Sequence, residues 1–115
     1  MAHANLPPEV ASYFASGRRK VVSVTANNDF TLTITFDNGE VRLYDMHDEL
    51  QGDVFRPLRQ LDAFQRVYID DCGSIAWALD PNVDSEIVWN NKLDLCPDSC
   101  YIYSKPLKKA DAQAL

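Results

Sequence analysis

Apolar and polar residues alternate most regularly over residues 31–45, and Asn38-Gly39 interrupts the alternation near its middle. Asn-Gly favours the two-residue type I′ turn of a β-hairpin, because both central residues of that turn need a positive φ. A two-residue loop would place Ile34 opposite Leu43 and gather the apolar side chains of both strands on one face. The opposite, polar face would then consist of Thr33, Thr35, Arg42 and Tyr44.

A short helix is predicted before the hairpin, at residues 6–16. Prolines suit its first turn, and Gly17 suits its C-terminal cap. Arg18-Arg19-Lys20 follows directly, where cations favour the negative end of the helix dipole. We expect these basic residues to form a solvated cap, with contact to an anion or a partner as the alternative. The apolar stripe of the helix consists of Leu6, Val10, Tyr13 and Phe14.

The segments on either side of the hairpin predict one more strand and short helical pieces. Residues 20–25 form a first strand, with Val22 and Val24 facing the core and a three-residue loop, Asn27-Asn28-Asp29, before the hairpin. Residues 46–51 are either one helical turn or a loop. An apolar residue then recurs at every third position, as in a single helical or 3₁₀ segment that lies on the sheet. These apolar residues are Phe55, Leu58, Leu61 and Phe64.

A second hairpin is predicted around the three-residue loop Asp71-Cys72-Gly73, with Gly73 in the left-handed conformation. This loop pairs Ile69 with Ile75, and Val67 with Trp77. Further along, residues 101–103 are a short strand or a docking segment, and residues 105–115 are frayed. The fold class is therefore α+β, in one domain over residues 1–115. Five or so antiparallel strands form a three-stranded meander plus a hairpin, and short helices pack on the sheet.

Composition restricts the possible partners without identifying one. The chain has 115 residues, enough to bury a core without disulfides. Its net charge of −6 argues against direct binding of nucleic acid or anionic membranes, since both need clustered cations. Three cysteines without a secretory signal indicate a reduced, cytoplasmic protein. We expect no cofactor and no membrane association.

No group of residues points to catalysis or metal binding. A possible calcium loop begins at Asp80, but Ser85 replaces the required glycine and Asn91 the required glutamate, so a capped turn is predicted. Three cysteines and two histidines give no convincing set of four zinc ligands. Catalysis by Cys72 with His47 would need a contact that the pattern does not predict.

Residues 89–98 are the most distinctive stretch of the chain, with adjacent asparagines, a tryptophan and acidic residues. In one interpretation, the asparagine side chains satisfy backbone groups in an irregular loop. In the other, the stretch borders a pocket or an interface, and Trp77 and Trp89 are buried anchors. The candidate binding residues are therefore Arg42, Tyr44, Trp77, Trp89, Asn90, Asn91 and Asp94.

The assembled pattern resembles a small bacterial family, domain of unknown function 2442, over residues 20–101. The resemblance rests on Phe36-Asp37-Asn38-Gly39-Glu40, Tyr44-Asp45, Phe55-x-x-Leu58 and Ile75-x-Trp77, and residues 80–85 and 91–98 resemble a subset with an extended C-terminal segment. It implies a small α+β domain without an established enzyme activity. Some relatives are fused to a helix-turn-helix module or are encoded beside small partners, as toxin–antitoxin pairs are. This context implies a protein-interaction role.

Three hypotheses follow, in order of preference. The first is a non-catalytic interaction module that binds a protein partner or a second copy through a sheet edge or the aromatic tail. The second is a small-molecule-binding module with a pocket between the sheet and residues 89–98. The third is an enzyme that uses Cys72 or carboxylates.

Overall fold

A computed structural model describes residues 8–107, which form two antiparallel sheets and several short helices. The strands are β1 (Val21–Ala26), β2 (Thr31–Phe36), β3 (Val41–Asp45), β4 (Tyr68–Ile69), β5 (Ile75–Ala78), β6 (Lys92–Leu95) and β7 (Lys105–Pro106). The α-helices are α1 (Pro8–Ser16), α2 (His47–Gln51), α3 (Leu61–Phe64) and α4 (Pro97–Tyr103), and 3₁₀ turns span Arg56–Arg59 and Trp89–Asn91. The predicted α+β class is confirmed.

The two sheets have the strand orders β1-β2-β3-β7 and β4-β5-β6. The predicted meander and second hairpin are both present, and each gains one strand that the pattern did not predict. Strand β6 pairs with β5, and β7 pairs with β3, so the prediction of a frayed tail is wrong for Lys105–Pro106. Residues 101–103 end a helix and do not form a strand. Residues 1–7, with Leu6 of the predicted stripe, and residues 108–115 lie outside the described chain.

The register of the β2–β3 hairpin differs by one residue from the prediction. Thr33 pairs with Leu43, and Leu32 pairs with Tyr44. The loop has three residues instead of two, and within it only Gly39 has a positive φ, of 85°. A three-residue loop needs one left-handed residue at its end, whereas a type I′ turn needs two. The Asn-Gly pair therefore predicted the hairpin correctly and its register wrongly.

The corrected register moves Arg42 and Tyr44 from the predicted polar face to the core face. There, both side chains form hydrogen bonds with residues in or directly after a helix. Arg42 Nε donates a hydrogen bond to Ser104 Oγ over 2.7 Å, and its guanidinium carbon lies 4.5 Å from the centre of the Tyr101 ring. The Tyr44 hydroxyl donates to Glu49 of α2 over 2.5 Å. These contacts with later elements explain why the hairpin does not take the register that its own sequence favours.

Strand β1 also departs from its predicted orientation. A register shift between Val21 and Ser23 turns Val22 outward, where it is 60% exposed, while Val24 pairs with the fully buried Ile34. The prediction that Val22 faces the core is therefore wrong. The connecting loop has three residues as predicted, but it spans residues 28–30, and Phe30 takes the left-handed conformation with a φ of 63°.

The second hairpin has the predicted loop and register. Ile69 pairs with Ile75, and Gly73 has a φ of 83°. The Gly73 N–H donates to the carbonyl of Asp70 over 2.9 Å, which closes the turn. Both hairpins thus use an Asp-x-Gly loop with a left-handed glycine at its end.

The core lies between the two sheets and is closed by the short helices. Trp77 is fully buried, stacks on Phe64 with 6.0 Å between the ring centres, and donates from Nε1 to the Phe64 carbonyl over 2.9 Å. The predicted helical segment is broken by the extended residue Gln60, yet its four apolar residues pack in or against the core as predicted. The buried cluster consists of Leu32, Ile34, Phe36, Tyr44, Met46, Leu50, Leu58, Phe64, Ile75, Trp77, Leu95 and Cys100.

We expect Gly39→Ala to lower the free energy of unfolding by about 1–2 kcal/mol, because an L-residue is strained in the left-handed conformation. Gly52→Ala is the matched control, since Gly52 has a φ of −81° and an added Cβ would lie at an ordinary 3.5 Å from the Glu49 carbonyl oxygen. The control should leave stability unchanged or slightly raised. Urea denaturation of both variants measures the difference, and equal effects at the two positions would contradict the hairpin geometry.

Candidate functional site

The seven candidate binding residues do not form one site. Arg42 and Tyr44 lie on the core face of β3, and Trp77 is fully buried in the core. Trp89 and Asn90 belong to a 3₁₀ turn; the Trp89 side chain lies outside the described structure, and Asn90 is exposed. The remaining two are Asn91, which is buried, and Asp94, which is exposed on β6.

Asn91 organises the irregular loop between β5 and β6 from the inside. Its Nδ2 donates to the carbonyl oxygens of Asp80 and Val83, over 3.1 and 3.0 Å, and to Ser85 Oγ over 2.9 Å. Its Oδ1 accepts from the Asp80 N–H over 2.8 Å. An asparagine that bonds main-chain groups in this way is structural, as the first interpretation of residues 89–98 predicted.

The segment that begins at Asp80 is a pair of capped turns. Asp80 Oδ1 accepts from the Asn82 N–H, and Asp84 Oδ1 accepts from the Glu86 N–H, both over 2.9 Å. These bonds satisfy main-chain donors at the start of each turn. Over residues 8–107, no group of His, Cys, Asp or Glu side chains comes together in a way that could hold a metal ion.

A polar pocket of about 480 Å³ opens beside β6. Lys92 lines this pocket, and its Nζ lies 3.0 Å from Asp70 Oδ2 and 2.9 Å from Glu86 Oε2. The hydroxyl of Tyr68 donates to the same Glu86 oxygen over 3.1 Å. The pocket is lined by Asp70, Asp71, Cys72, Glu86, Lys92 and Asp94.

The charges around Lys92 stabilise one another. Burial raises the pKa of Asp70, but hydrogen bonds from the Ser74 N–H and from Lys92 outweigh it and hold that pKa below its usual value. A hydrogen bond from Lys92 likewise lowers the pKa of Glu86. In return, the bonds to Glu86 and Asp70 raise the pKa of Lys92 well above its usual range. The group is therefore fully charged near neutral pH.

Of the residues that line the pocket, the sequence predicted Asp94 as a binding residue. It did not predict Asp70, Glu86 or Lys92. One signal was available, because Lys92 is the only cation in an acidic stretch, residues 80–98. Its partners could not be identified, because Asp70 precedes Lys92 by 22 positions and the pairing depends on the unpredicted strand β6.

The outer face of the meander, which we call the open face, is formed by outward side chains of β1, β2 and β3. Thr33 pairs with Thr25 and with Leu43, so these three side chains lie side by side. The core cluster lies on the opposite side, and Val41 and Leu43 belong neither to that cluster nor to the apolar side chains packed against it. The open face consists of Ser23, Thr25, Thr33, Thr35, Val41 and Leu43.

The centre of the open face carries no charge, and its edges do. Val41 and Leu43 are half-buried, although they face away from the core. Lys105 of β7 pairs with Leu43 at one edge, and Asp45 lies at the end of β3. An uncharged centre with charged residues at its edges is compatible with the low charge found at the centre of protein interfaces.

Arg18, the first of the basic residues after α1, is bound within the chain. Arg18 Nε donates to Asp98 Oδ1 over 3.1 Å, and its terminal nitrogen donates to the second oxygen of the same carboxylate. The hydroxyl of Tyr13 donates to Asp98 Oδ1 over 2.5 Å and accepts from the Arg19 N–H over 2.8 Å. The Arg18 hydrogen bonds keep the pKa of Asp98 below its usual value, and burial raises the pKa of Tyr13 to about 12.

Comparison with protein-family models gives one match, over residues 21–106, to the family described as protein of unknown function DUF2442. This match confirms the resemblance that the hairpins and aromatic positions indicated. No curated protein and no solved structure showed a significant similarity to the chain. Within residues 8–107, no helix has the length and apolar character needed to cross a membrane.

Asn91→Ala should destabilise the protein by about 2–4 kcal/mol, because several buried main-chain and hydroxyl groups lose their partner at once. Asn90→Ala is the matched control, since Asn90 is adjacent and exposed, and should stay within about 0.5 kcal/mol of the parent. Chemical denaturation measures both. If the two substitutions had the same effect, Asn91 would not organise the loop.

The free energy of unfolding should decrease as the pH is lowered into the acidic range, and part of this decrease should come from Asp70. Its pKa is lowered in the folded state, so the unfolded chain takes up the proton first as the pH falls. The stabilisation is therefore present above about pH 4 and is lost as the pH falls through the folded pKa. Asp70→Asn should lose less stability than the parent between about pH 7 and pH 3, measured by urea denaturation. The exposed Asp71→Asn is the control, and an unchanged pH slope in Asp70→Asn would refute this assignment.

Proposed function

Because the chain belongs to the DUF2442 family, whose function is unknown, we propose its role from geometry: a non-catalytic protein-interaction module that binds through the open face. The observation that carries the proposal is the outward position of Val41 and Leu43 among threonines, on a face that is turned away from the core cluster. Burying such a surface against a partner removes apolar area from water without desolvating a charge.

The edges of the meander are poorer contact surfaces than its face. Strand β1 has a register shift between Val21 and Ser23, which bends an edge and hinders the addition of another strand. At the other edge, β7 is two residues long and ends in Pro106, which has no N–H to donate. We therefore place the contact on the face of the sheet and not on its edge.

The polar pocket supports a non-catalytic role. Its principal charged groups are Asp70, Glu86 and Lys92, and Lys92 is bonded to both carboxylates. Throughout the described chain, each buried polar side-chain atom has a hydrogen-bond partner. A catalytic site commonly keeps reactive groups available for the substrate, and this network keeps them engaged.

The proposed partner is a small protein, of the toxin–antitoxin or another regulatory type, or a second copy of the chain. This part of the proposal rests on analogy within the family. The negative total charge of −6 supports a protein partner over a nucleic acid, since phosphate binding needs clustered basic residues.

Site-specific photocrosslinking in the native host tests this role. A photoreactive residue at position 33, in the centre of the open face, should give a discrete covalent product with one protein. The same residue at position 54 is the control, because Val54 is 66% exposed and lies outside the open face. Leu43→Asp should reduce the position-33 product about tenfold or more without unfolding the domain, since it places a charge in the contact centre. No product at position 33, or the same products at both positions, would contradict the proposal.

Binding of a small polar molecule in the pocket beside β6 is a second candidate function. The pocket, of about 480 Å³, lies at the predicted segment and is lined by Lys92 and Asp94. A thermal-shift screen against metabolites tests it, with Asp94→Asn as the control that should lose the shift. A screen without any shift that depends on Asp94 would rule out this second candidate function.

A further inference from the structure

Helix α1 is attached to the domain by a contact of its own and not by the main core. Val10 and Tyr13 are buried, with 8% and 4% of their surfaces exposed, yet neither belongs to the core cluster. The helix also precedes residue 21, where the family match begins. Since the core cluster contains no residue of α1, the helix can detach locally without opening that core.

The surface beneath α1 combines one aromatic ring with one carboxylate. The Tyr13 ring lies 5.1 Å from the Tyr101 ring, which in turn packs edge-on against Phe36 at 5.0 Å. Beside it, Asp98 accepts hydrogen bonds from both Tyr13 and Arg18. The Asp98 side chain is only 12% exposed, so these bonds are partly shielded from water. Aromatic contact and a shared carboxylate together select a short helix with a tyrosine, followed just after its end by an arginine.

We propose that this surface of α4 is a docking site for a short helix, and that α1 of a second copy occupies it in an exchanged dimer. All the recognised side chains lie within residues 10–18, so a second copy carries the complete ligand. An exchanged dimer makes the same contacts as the monomer, and so its main cost is the entropy of association. The inference concerns a different surface from the open face and does not depend on the proposed function.

The connection between α1 and β1 is short and contains a glycine at which it can bend. Only residues 17–20 join the helix to the strand, and Gly17 ends the helix with a φ of 98°. Domain exchange requires such a hinge between the exchanged element and the rest of the fold. A tethered helix has an effective concentration in the millimolar range, so the monomer dominates in dilute solution. Exchange between two copies becomes visible when the contact between α1 and α4 of the same chain is weakened.

Two full-length variants with complementary defects test the proposal. Val10→Asp with Tyr13→Ala disables the helix and leaves the docking surface intact, whereas Asp98→Lys disables the surface by repelling Arg18 and leaves the helix intact. Each variant alone should be a monomer of 13.0 kDa. An equimolar mixture at about 100 µM should contain a one-to-one heterodimer of twice that mass, measured by light scattering after gel filtration. Circular dichroism of each variant establishes that it is folded.

A second measurement covers the case in which a charge substitution unfolds the chain. A fluorescent peptide of residues 6–20 is titrated into the full-length helix-defective variant and into the parent chain, and anisotropy reports binding. Binding to the variant should be at least about tenfold tighter than to the parent, whose own helix competes. Adding Asp98→Asn to the variant should weaken binding about tenfold or more, because a charged acceptor of three hydrogen bonds is lost. Absence of both heterodimer and peptide binding would overturn the docking site, and peptide binding without heterodimer would overturn the second copy as its occupant.

Discussion

The register of the β2–β3 hairpin decides which side chains enter the core and which remain on the open face. Arg42 and Tyr44 point inward, where their bonds to Ser104 and Glu49 connect β3 to the segment after α4 and to α2. A slip by one residue would exchange the two faces of β3 and break both connections. The threonine-rich open face is therefore a consequence of bonds made on the other side of the sheet, and the proposed function depends on the same register.

The region after β5 depends on buried polar groups more than on apolar packing. Asn91 bonds the main chain of the loop from within, and the next residue, Lys92, joins Asp70 and Glu86. Fully satisfied polar networks of this kind fix one arrangement, since breaking any member leaves a buried group without a partner. Features that resemble a binding motif in the sequence, such as Asn91 and the acidic turns, are thereby explained by structure.

Local signals in the sequence predicted most of the helices and strands. They failed where contacts between distant parts of the chain determine the register or the pairing of a strand. The loop at Gly73 was predicted with its register, because one glycine and the flanking alternation suffice there. The loop at Gly39 has the same geometry, but the Asn-Gly pair favoured the shorter turn, and the inward bonds of Arg42 and Tyr44 are not visible in the hairpin sequence. Strands β6 and β7 were missed because they are short and gain their hydrogen bonds from strands far away in the chain. The Lys92 network was missed for the same reason.

Nuclear magnetic resonance gives the most direct test of the register on which the open face depends. In an antiparallel pair, the α-protons of residues that do not exchange hydrogen bonds approach closely. The Phe36 N–H donates to Glu40, so the alternation along the ladder makes Thr35–Val41 and Thr33–Leu43 the non-hydrogen-bonded pairs. The account predicts strong nuclear Overhauser effects between the α-protons of Thr33 and Leu43 and between those of Thr35 and Val41. Strong effects that link the α-protons of Ile34 and Leu43 instead would contradict it.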